Sequence, residues 1–195
     1  YGPLVVAREP LGRRGLKGKR VAVPGKLTTA YLLLQLYEPE VQPVFTRFDL
    51  VAASIARGEA EAGVLIHEGQ LTFGRQGLTK IVDLGEWWYE ETQLPLPLGG
   101  NGICRSLGSQ TAHYVAELLR ESIRFSMAHR EEALVYARQL GRGLDTVTAD
   151  RFVSMYVNEW TLDYGQRGRQ AVQMLLDQGF EKGLLSHRVK AEFVE

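Results

Sequence analysis

The 195-residue sequence has a single cysteine, no net charge and no long apolar run. One cysteine excludes an internal disulfide and a multi-cysteine metal site, and it fits a reducing compartment. Because 23 Lys and Arg residues balance 23 Asp and Glu residues, the charge does not favour nucleic acid or an anionic membrane surface as a partner. The longest apolar runs, such as residues 31–36, are too short to span a bilayer. We therefore predict a cytoplasmic protein without nucleic-acid or membrane partners, and the sequence leaves the oligomeric state open.

The sequence also lacks an initial methionine and a signal-peptide pattern, since Tyr1 leads directly into a strand-like run. We expect a chain whose beginning lies elsewhere. With 45% hydrophobic residues, the chain can still bury a core and form one or two domains.

The first half alternates between strand-like and helix-like segments. Short strands are predicted at residues 20–23, 41–48, 62–66 and 78–84, with helices at 30–37 and 50–56. Asp49 is the predicted cap of the second helix, and Gly58 is its predicted stop. Strands and helices that alternate with short links predict parallel pairing in an α/β domain.

The second half is mainly helical. After a Pro- and Gly-rich connection at 94–100, residues 101–105 are predicted to be a strand that enters a second lobe. Helical periodicity follows at 111–128, 131–140, 149–160 and 168–178. Helices with so little sheet of their own bury their apolar faces poorly, so we expect them to pack on strands that this chain does not contain.

His67 is a candidate functional residue because it follows the apolar strand at 62–66. Open α/β sheets bind ligands at the carboxyl ends of their strands. An imidazole titrates near neutral pH and can act as a base there. The alternative is a strand-end histidine that is hydrogen-bonded to a neighbouring loop, and the pattern of residues leaves both interpretations open.

Thr28 and Thr29 are candidate binding residues at the turn from a strand into a helix. Free backbone N–H groups, the positive end of the helix dipole and two hydroxyl groups can bind a carboxylate or a phosphate. The glycine and lysine spacing is not that of a Walker loop. The alternative is ordinary capping by one threonine.

Four other features are interpreted structurally. The basic, glycine-rich segment 12–20 is predicted to be a solvated loop, and the aromatic residues 87–89 to pack at a helix start. Cys104 is expected to be a small buried hydrophobic residue. No metal site is predicted, because metal-ligand spacing is absent among the remaining histidines, which are His113, His129 and His187.

Several segments together resemble the 1,4-dihydroxy-6-naphthoate synthase family of the futalosine route to menaquinone. The resemblance extends from Gly2 to the C-terminal tail, and the segments that carry it occur in the family's order: 21–25 with 28–31, 67–68 with 71–73, 83–88, 94–99, 128–133, and 156–158 with 161–163.

The resemblance implies an α/β fold like that of type II periplasmic binding proteins, with two lobes and a site in the cleft between them. Residues 6–93 would form the second lobe, and residues 94–195 would form the crossover and C-terminal helices of a first lobe whose N-terminal part is absent from this sequence.

The resemblance also implies a lyase whose substrate, similar to cyclic dehypoxanthine futalosine, carries a carboxylate. His67 would be the general base, and Thr28 and Thr29 would contact the substrate. The reaction implied in this way needs no redox cofactor or metal. Two alternatives are a solute-binding or sensor protein of the same fold and the related chorismate dehydratase.

Overall fold

The computed structural model describes residues 1–12, 15–139 and 145–194, and it forms two compact units. The first unit contains Tyr1–Gly99 and Gln170–Lys190, and the second contains Gly100–Arg169 and the residues from Ala191 onward. The two-domain division into 6–93 and 94–195 stays a prediction, since the compact units follow other bounds. Parts of two predicted segments lie outside the described residues: Arg13 and Arg14 of the basic segment, and Leu140 at a predicted helix end.

The first unit is built on a five-stranded sheet with the order β3-β2-β4-β1-β5. β2 pairs in parallel with β3 and β4, as the alternating pattern predicts. β5 does not join this parallel set directly, because β1 lies between β4 and β5 and pairs antiparallel with both. The strands are β1 (Leu4–Ala7), β2 (Arg20–Val23), β3 (Gln42–Phe45), β4 (Ala62–Leu65) and β5 (Thr79–Asp83).

Four helices follow strands of this sheet, and part of a fifth belongs to the same unit. They are α1 (Thr29–Tyr37), α2 (Val51–Ala56), α3 (Gly69–Thr72), α4 (Leu84–Thr92) and the second part of α9 (Gly165–Glu181). Short 3-10 turns at Phe48–Leu50 and Phe73–Gln76 complete the connections.

The central strands β1 and β4 are buried on both faces, as predicted for the strand that ends near His67. Every residue of β1 and β4 is buried. On one face Val5 and Val64 pack in a cluster that includes Trp88 of α4, and on the other face Val6 packs with α2. A Cβ atom at Gly63 would lie 2.5 Å from Cγ1 of Val51, so glycine is needed for α2 to pack this closely on β4.

The Asp49 cap prediction is wrong, while the Gly58 stop is confirmed. Asp49 lies inside the 3-10 turn before α2, and Leu50 occupies the N-cap position without a side-chain hydrogen bond. The Asp49 carboxylate instead accepts hydrogen bonds from Nε and Nη2 of Arg47 at 3.1 and 2.9 Å. At the other end, Gly58 has a φ of 73°, the left-handed conformation in which glycine ends helices.

The second unit is helical, with α5 (Ser109–Ala128), α6 (Arg130–Gln139), α7 (Thr146–Tyr156), α8 (Glu159–Leu162) and the start of α9. The helix predicted at 149–160 is two helices, because Asn158 caps α8 with its side chain and Thr161 completes a capping box. The strand predicted at 101–105 is wrong: residues 101–104 have no regular structure and a 3-10 turn begins at Arg105.

Candidate active site

The two predicted site segments lie at the same edge of the sheet. β2 and β4 are parallel neighbours, with Val21 opposite Ala62 and Ala22 opposite Gly63. Thr28 and Thr29 follow the carboxyl end of β2, and His67 follows the carboxyl end of β4. β3 and β5 end at this edge as well, so we call the segments 24–29, 46–49, 66–69 and 84–86 the carboxyl edge.

Thr28 is the N-cap of α1. Its Oγ1 accepts a hydrogen bond from the backbone N–H of Tyr31 at 3.2 Å and donates one to the carbonyl oxygen of Gly25 at 2.8 Å. Because a hydroxyl has a single proton, the Thr28 side chain has no further donor for a ligand. Of the two threonines that could cap the helix, Thr28 is therefore the one that does so.

Thr29 is the first residue of α1 and is half-buried. The N–H groups of Tyr31 and Leu32 bond to the Thr28 carbonyl oxygen. In the part of the chain that the structure describes, the Thr29 hydroxyl and the backbone N–H groups of Thr29 and Ala30 make no hydrogen bond. No acidic side chain lies in the first turn, so nothing local neutralises the positive end of the dipole. These three donors can receive a carboxylate.

His67 presents an exposed imidazole at the carboxyl edge. Its backbone is left-handed, with a φ of 57°, a conformation that costs a residue other than glycine about 1–3 kcal/mol. The His67 carbonyl oxygen accepts from the N–H of Gln70 at 3.2 Å, which ties the residue to the start of α3. The chain thus turns sharply as it leaves the buried strand β4, and the imidazole is placed outside the core.

Phe48 is a neighbour of His67 that the sequence interpretation did not single out. The two rings meet edge to face, with centroids 4.8 Å apart and planes at 61°. Phe48 begins the 3-10 turn just after β3, and its position as the last residue of the strand predicted at 41–48 was the signal available in the sequence. Tyr31 of α1 and Phe45, the last residue of β3, form a second edge-to-face pair, with centroids 5.2 Å apart.

A cavity of about 510 Å³ lies beside α2 and α3. Phe48, Asp49 and Glu68 are among its lining residues, whereas Thr28, Thr29 and His67 are not. The predicted site residues therefore share the carboxyl edge but do not share this cavity.

Asp83 and Gly85 shape the end of β5. The buried Asp83 carboxylate accepts from the N–H groups of Gly85 and Glu86 at 2.7 and 3.1 Å and so caps α4. A Cβ atom at Gly85 would lie 2.3 Å from the backbone of Tyr1. Glycine is thus required where the segment before β1 crosses the start of α4.

Two of the three aromatic residues at 87–89 pack within the first unit, as predicted. Trp88 is fully buried, and its Nε1 donates to the carbonyl oxygen of Pro95 at 3.2 Å. Trp87 meets Tyr37 edge to face at 5.4 Å, and only Tyr89 is exposed.

The expectation that Cys104 is buried is wrong, because the residue is exposed. Its Sγ lies 3.0 Å from Oγ of Ser106, and hydrogen bonds from the Ser106 hydroxyl and backbone lower the pKa of the thiol. Cys104 immediately precedes the 3-10 turn Arg105–Leu107, whose residues are exposed as well.

Two further features concern charge and metal ligands. In the basic segment, Lys17 pairs with Glu40 at 2.7 Å and Lys19 with Glu61 at 2.8 Å. The prediction of a solvated loop is correct only in part, because Leu16 is fully buried and Arg20 begins β2. Among the described residues, no group of three or more His, Cys, Asp or Glu side chains is arranged to hold a metal ion. Nor does any helix within the described ranges have the length and apolarity needed to cross a bilayer.

Comparison with known proteins shows that most of the chain matches a known protein family. Residues 1–181 match a protein family described as menaquinone biosynthesis. A curated protein of Thermus thermophilus named 1,4-dihydroxy-6-naphthoate synthase is 45% identical over 193 residues, which cover 99% of this chain and 70% of the relative. A protein of the same name from Streptomyces coelicolor is 35% identical over 190 residues, covering 94% and 67%.

The solved structures agree with the predicted fold class. A crystal structure from Archaeoglobus fulgidus superposes with a TM-score of 0.89 at 42% identity, over 95% of this chain and 69% of the other. The periplasmic aliphatic sulphonate binding protein of Escherichia coli superposes with a TM-score of 0.61 at 15% identity, over 96% and 63%. The second likeness shows the fold alone, and it confirms an α/β fold of the periplasmic-binding-protein type.

Proposed function

The chain belongs to the 1,4-dihydroxy-6-naphthoate synthase family of menaquinone biosynthesis, and from this premise we propose that it is a lyase of the futalosine pathway. Its substrate would be cyclic dehypoxanthine futalosine and its product 1,4-dihydroxy-6-naphthoate. The observation that carries the proposal is the placement of an exposed imidazole and an open helix N-terminus after adjacent parallel strands.

In the proposed reaction His67 is the general base. The neutral imidazole accepts a proton from a substrate hydroxyl, which starts the cleavage that releases the sugar-derived fragment. Aromatisation of the remaining rings then drives the reaction towards the naphthoate. The exposed position of His67 outside the buried strand β4 leaves the ring accessible to a substrate.

The substrate carboxylate is proposed to bind at the N-terminus of α1. The Thr29 hydroxyl and the N–H groups of Thr29 and Ala30 would donate to the carboxylate oxygens. Hydrogen bonds to a charged group are stronger than those between neutral groups, and the helix dipole adds to them. Thr28 would contribute by holding the first turn of the helix through its bonds to Gly25 and Tyr31.

In this arrangement the base supplies only part of the rate enhancement, and the rest of the site supplies the remainder. A well-placed base typically contributes about 10²–10⁴-fold in rate, so orientation of the substrate and exclusion of water must supply the rest. The proposed steps are proton transfer and elimination, which require neither a redox cofactor nor a metal. Biosynthesis of this kind is proposed to take place in the cytoplasm.

A turnover assay tests the proposal. The full-length protein is incubated with cyclic dehypoxanthine futalosine, and naphthoate formation is followed by liquid chromatography, beside the variants His67→Ala and His187→Ala. His187 is a matched control because it is a histidine of the first unit that lies outside the carboxyl edge. Its Nδ1 atom is 3.1 Å from Oγ of the neighbouring Ser186. We expect His67→Ala to lower kcat about 10²–10⁴-fold and His187→Ala to leave it unchanged.

Other outcomes of this assay would contradict the proposal. Near-normal turnover by His67→Ala would remove His67 from the role of base. Tight binding of the substrate without product, by the unmodified protein, would identify a binding protein of the same fold. Turnover of chorismate in place of the futalosine derivative would identify a dehydratase.

A further inference from the structure

Phe48 contacts the imidazole of His67 from the neighbouring end of β3. The rings meet edge to face with centroids 4.8 Å apart and planes at 61°, within the range in which aromatic pairs attract each other. The two residues are 19 positions apart in the sequence and belong to connections that leave two different strands. The contact is therefore a product of the sheet topology.

Hydrogen bonds before and within the turn hold the segment that carries Phe48 in place. Before it, the N–H of Thr46 donates to the carbonyl oxygen of Val23 at 3.0 Å, which ties the segment to the end of β2. Around it, Arg47 makes the two-point contact with Asp49, and the N–H of Leu50 donates to the Arg47 carbonyl oxygen at 2.9 Å. Phe48 itself is half-buried. Its ring thus has a supported position beside an imidazole that is exposed.

The His67 backbone is constrained, but its side chain points out of the core. The buried strand β4, the left-handed φ and the bond from Gln70 all hold the main chain. Exposed side chains change rotamer on the picosecond to nanosecond timescale unless a neighbour restricts them. A general base must lie within hydrogen-bond reach of the proton that it removes, so the orientation of this ring matters for the reaction.

We propose that Phe48 is a positioning residue that holds the His67 imidazole in its productive orientation. The inference rests on the proposed role of His67 as the base. Phe48 also lines the cavity beside α2, so a smaller side chain at this position would enlarge that cavity and give the imidazole room to turn. Loss of the ring then reduces the fraction of time in which the base is aligned, without removing the groups that bind the substrate.

A double-mutant cycle on the full-length protein tests the inference. The kinetic constants kcat and KM for cyclic dehypoxanthine futalosine are measured for Phe48→Leu, Phe48→Tyr, His67→Ala and the double variant Phe48→Leu/His67→Ala. We expect Phe48→Leu to lower kcat about tenfold, since small errors in position carry penalties of this order or more, with little change in KM. Phe48→Tyr keeps the ring and should retain most of kcat. In the His67→Ala background, Phe48→Leu should have no further effect.

Phe125→Leu is the matched control. Phe125 stacks on His129 of the second unit with centroids 4.0 Å apart, so the variant removes a ring from a histidine that has no proposed role, and kcat should not change. Circular dichroism checks that each variant is folded, and Phe48→Met replaces Phe48→Leu if the latter is not.

The outcomes separate this inference from the proposed function. Normal turnover by His67→Ala, or no turnover by the unmodified protein, overturns the proposed function and this inference with it. A large effect of His67→Ala combined with an equal effect of Phe48→Leu in both backgrounds leaves the base in place and overturns the positioning role. A rise in KM without a fall in kcat for Phe48→Leu also overturns it, because Phe48 would then act on substrate binding.

Discussion

Thr28 and Thr29 are adjacent in sequence, but their hydroxyl groups have different surroundings. The Thr28 hydroxyl accepts from Tyr31 and donates to Gly25, whereas the Thr29 hydroxyl makes no hydrogen bond in the described part of the chain. A cap requires an extended residue just before the helix, and only Thr28 has that backbone conformation. The first threonine therefore stabilises the helix, and the second is available to a ligand.

This division predicts that two isosteric substitutions affect different quantities, one the stability and the other the KM. Thr28→Val should lower the free energy of unfolding by about 1 kcal/mol because it removes the cap. Thr29→Val should change stability by less than about 0.5 kcal/mol and raise KM about tenfold through loss of one hydrogen bond to the carboxylate. Urea unfolding and steady-state kinetics measure the two quantities. An unchanged KM for Thr29→Val would mean that the carboxylate binds elsewhere.

At the scale of the element, several helices in both units begin at side chains that accept hydrogen bonds from their first N–H groups, whereas α2, α3 and α5 have no such cap. Asp83 caps α4, Asp145 caps α7 and Asn158 caps α8. In each case the side-chain oxygen of the residue just before the helix accepts from an N–H group of the first turn, and this bond fixes where the helix starts. At the carboxyl edge, Thr28 and Asp83 fix the starts of α1 and α4 in this way.

The cap of α7 should depend on pH. The Asp145 carboxylate accepts from the hydroxyl of Thr148 at 2.7 Å and from its backbone N–H at 2.9 Å, and these bonds lower the pKa of Asp145 from its ordinary value of 3.8. Because the folded form holds the lower pKa, the capping contribution is fully present above about pH 4. It is lost below that pH, as the carboxyl is protonated at the lower pKa of the folded state.

Backbone NMR of Thr148 measures this effect. Its amide signal should stay constant above about pH 4 and shift at lower pH, and Asp145→Asn should remove the shift. A titration centred above the ordinary aspartate pKa would contradict the assigned sign.

At the scale of the whole molecule, the two units bury their apolar side chains to different extents. Every residue of β1 and β4 is buried in the first unit, while α5 of the second unit has no buried residue along its 20 positions. Apolar side chains along α5 are more than two-fifths exposed: Tyr114, Val115, Leu118, Leu119 and Phe125. Since apolar burial is the main source of stability, most of the stabilisation of the described chain comes from the first unit.

Hydrogen exchange should reveal this difference. Amides of β1 and β4 open only when the buried core opens, so they should exchange slowest. Amides of α5 should exchange faster, because few buried contacts oppose local unfolding of that helix. Exchange followed by mass spectrometry compares the two segments directly. Equal protection of α5 and β4 would mean that the apolar face of α5 is covered in solution.

Local patterns in the sequence were sufficient for several elements. The burial of β4, the start of α1 at the threonine pair and the stop at Gly58 each depend on a few consecutive residues, and the structure confirms them. The strand predicted at 101–105 failed because a strand needs a neighbour to bond with, which its own residues do not reveal. Asp49 failed as a cap because a 3-10 turn precedes α2, which moves the N-cap position to Leu50.

The sequence alone determined the family, the α/β character of the first unit and the candidate residues His67, Thr28 and Thr29, because motifs and periodicity are read from neighbouring positions. Only the tertiary structure decided that β1 enters between β4 and β5, that Thr28 and not Thr29 is the cap, and that Phe48 contacts His67. These features depend on strand order and on competition between hydrogen-bond partners. Such choices are settled only when segments distant in sequence are packed together.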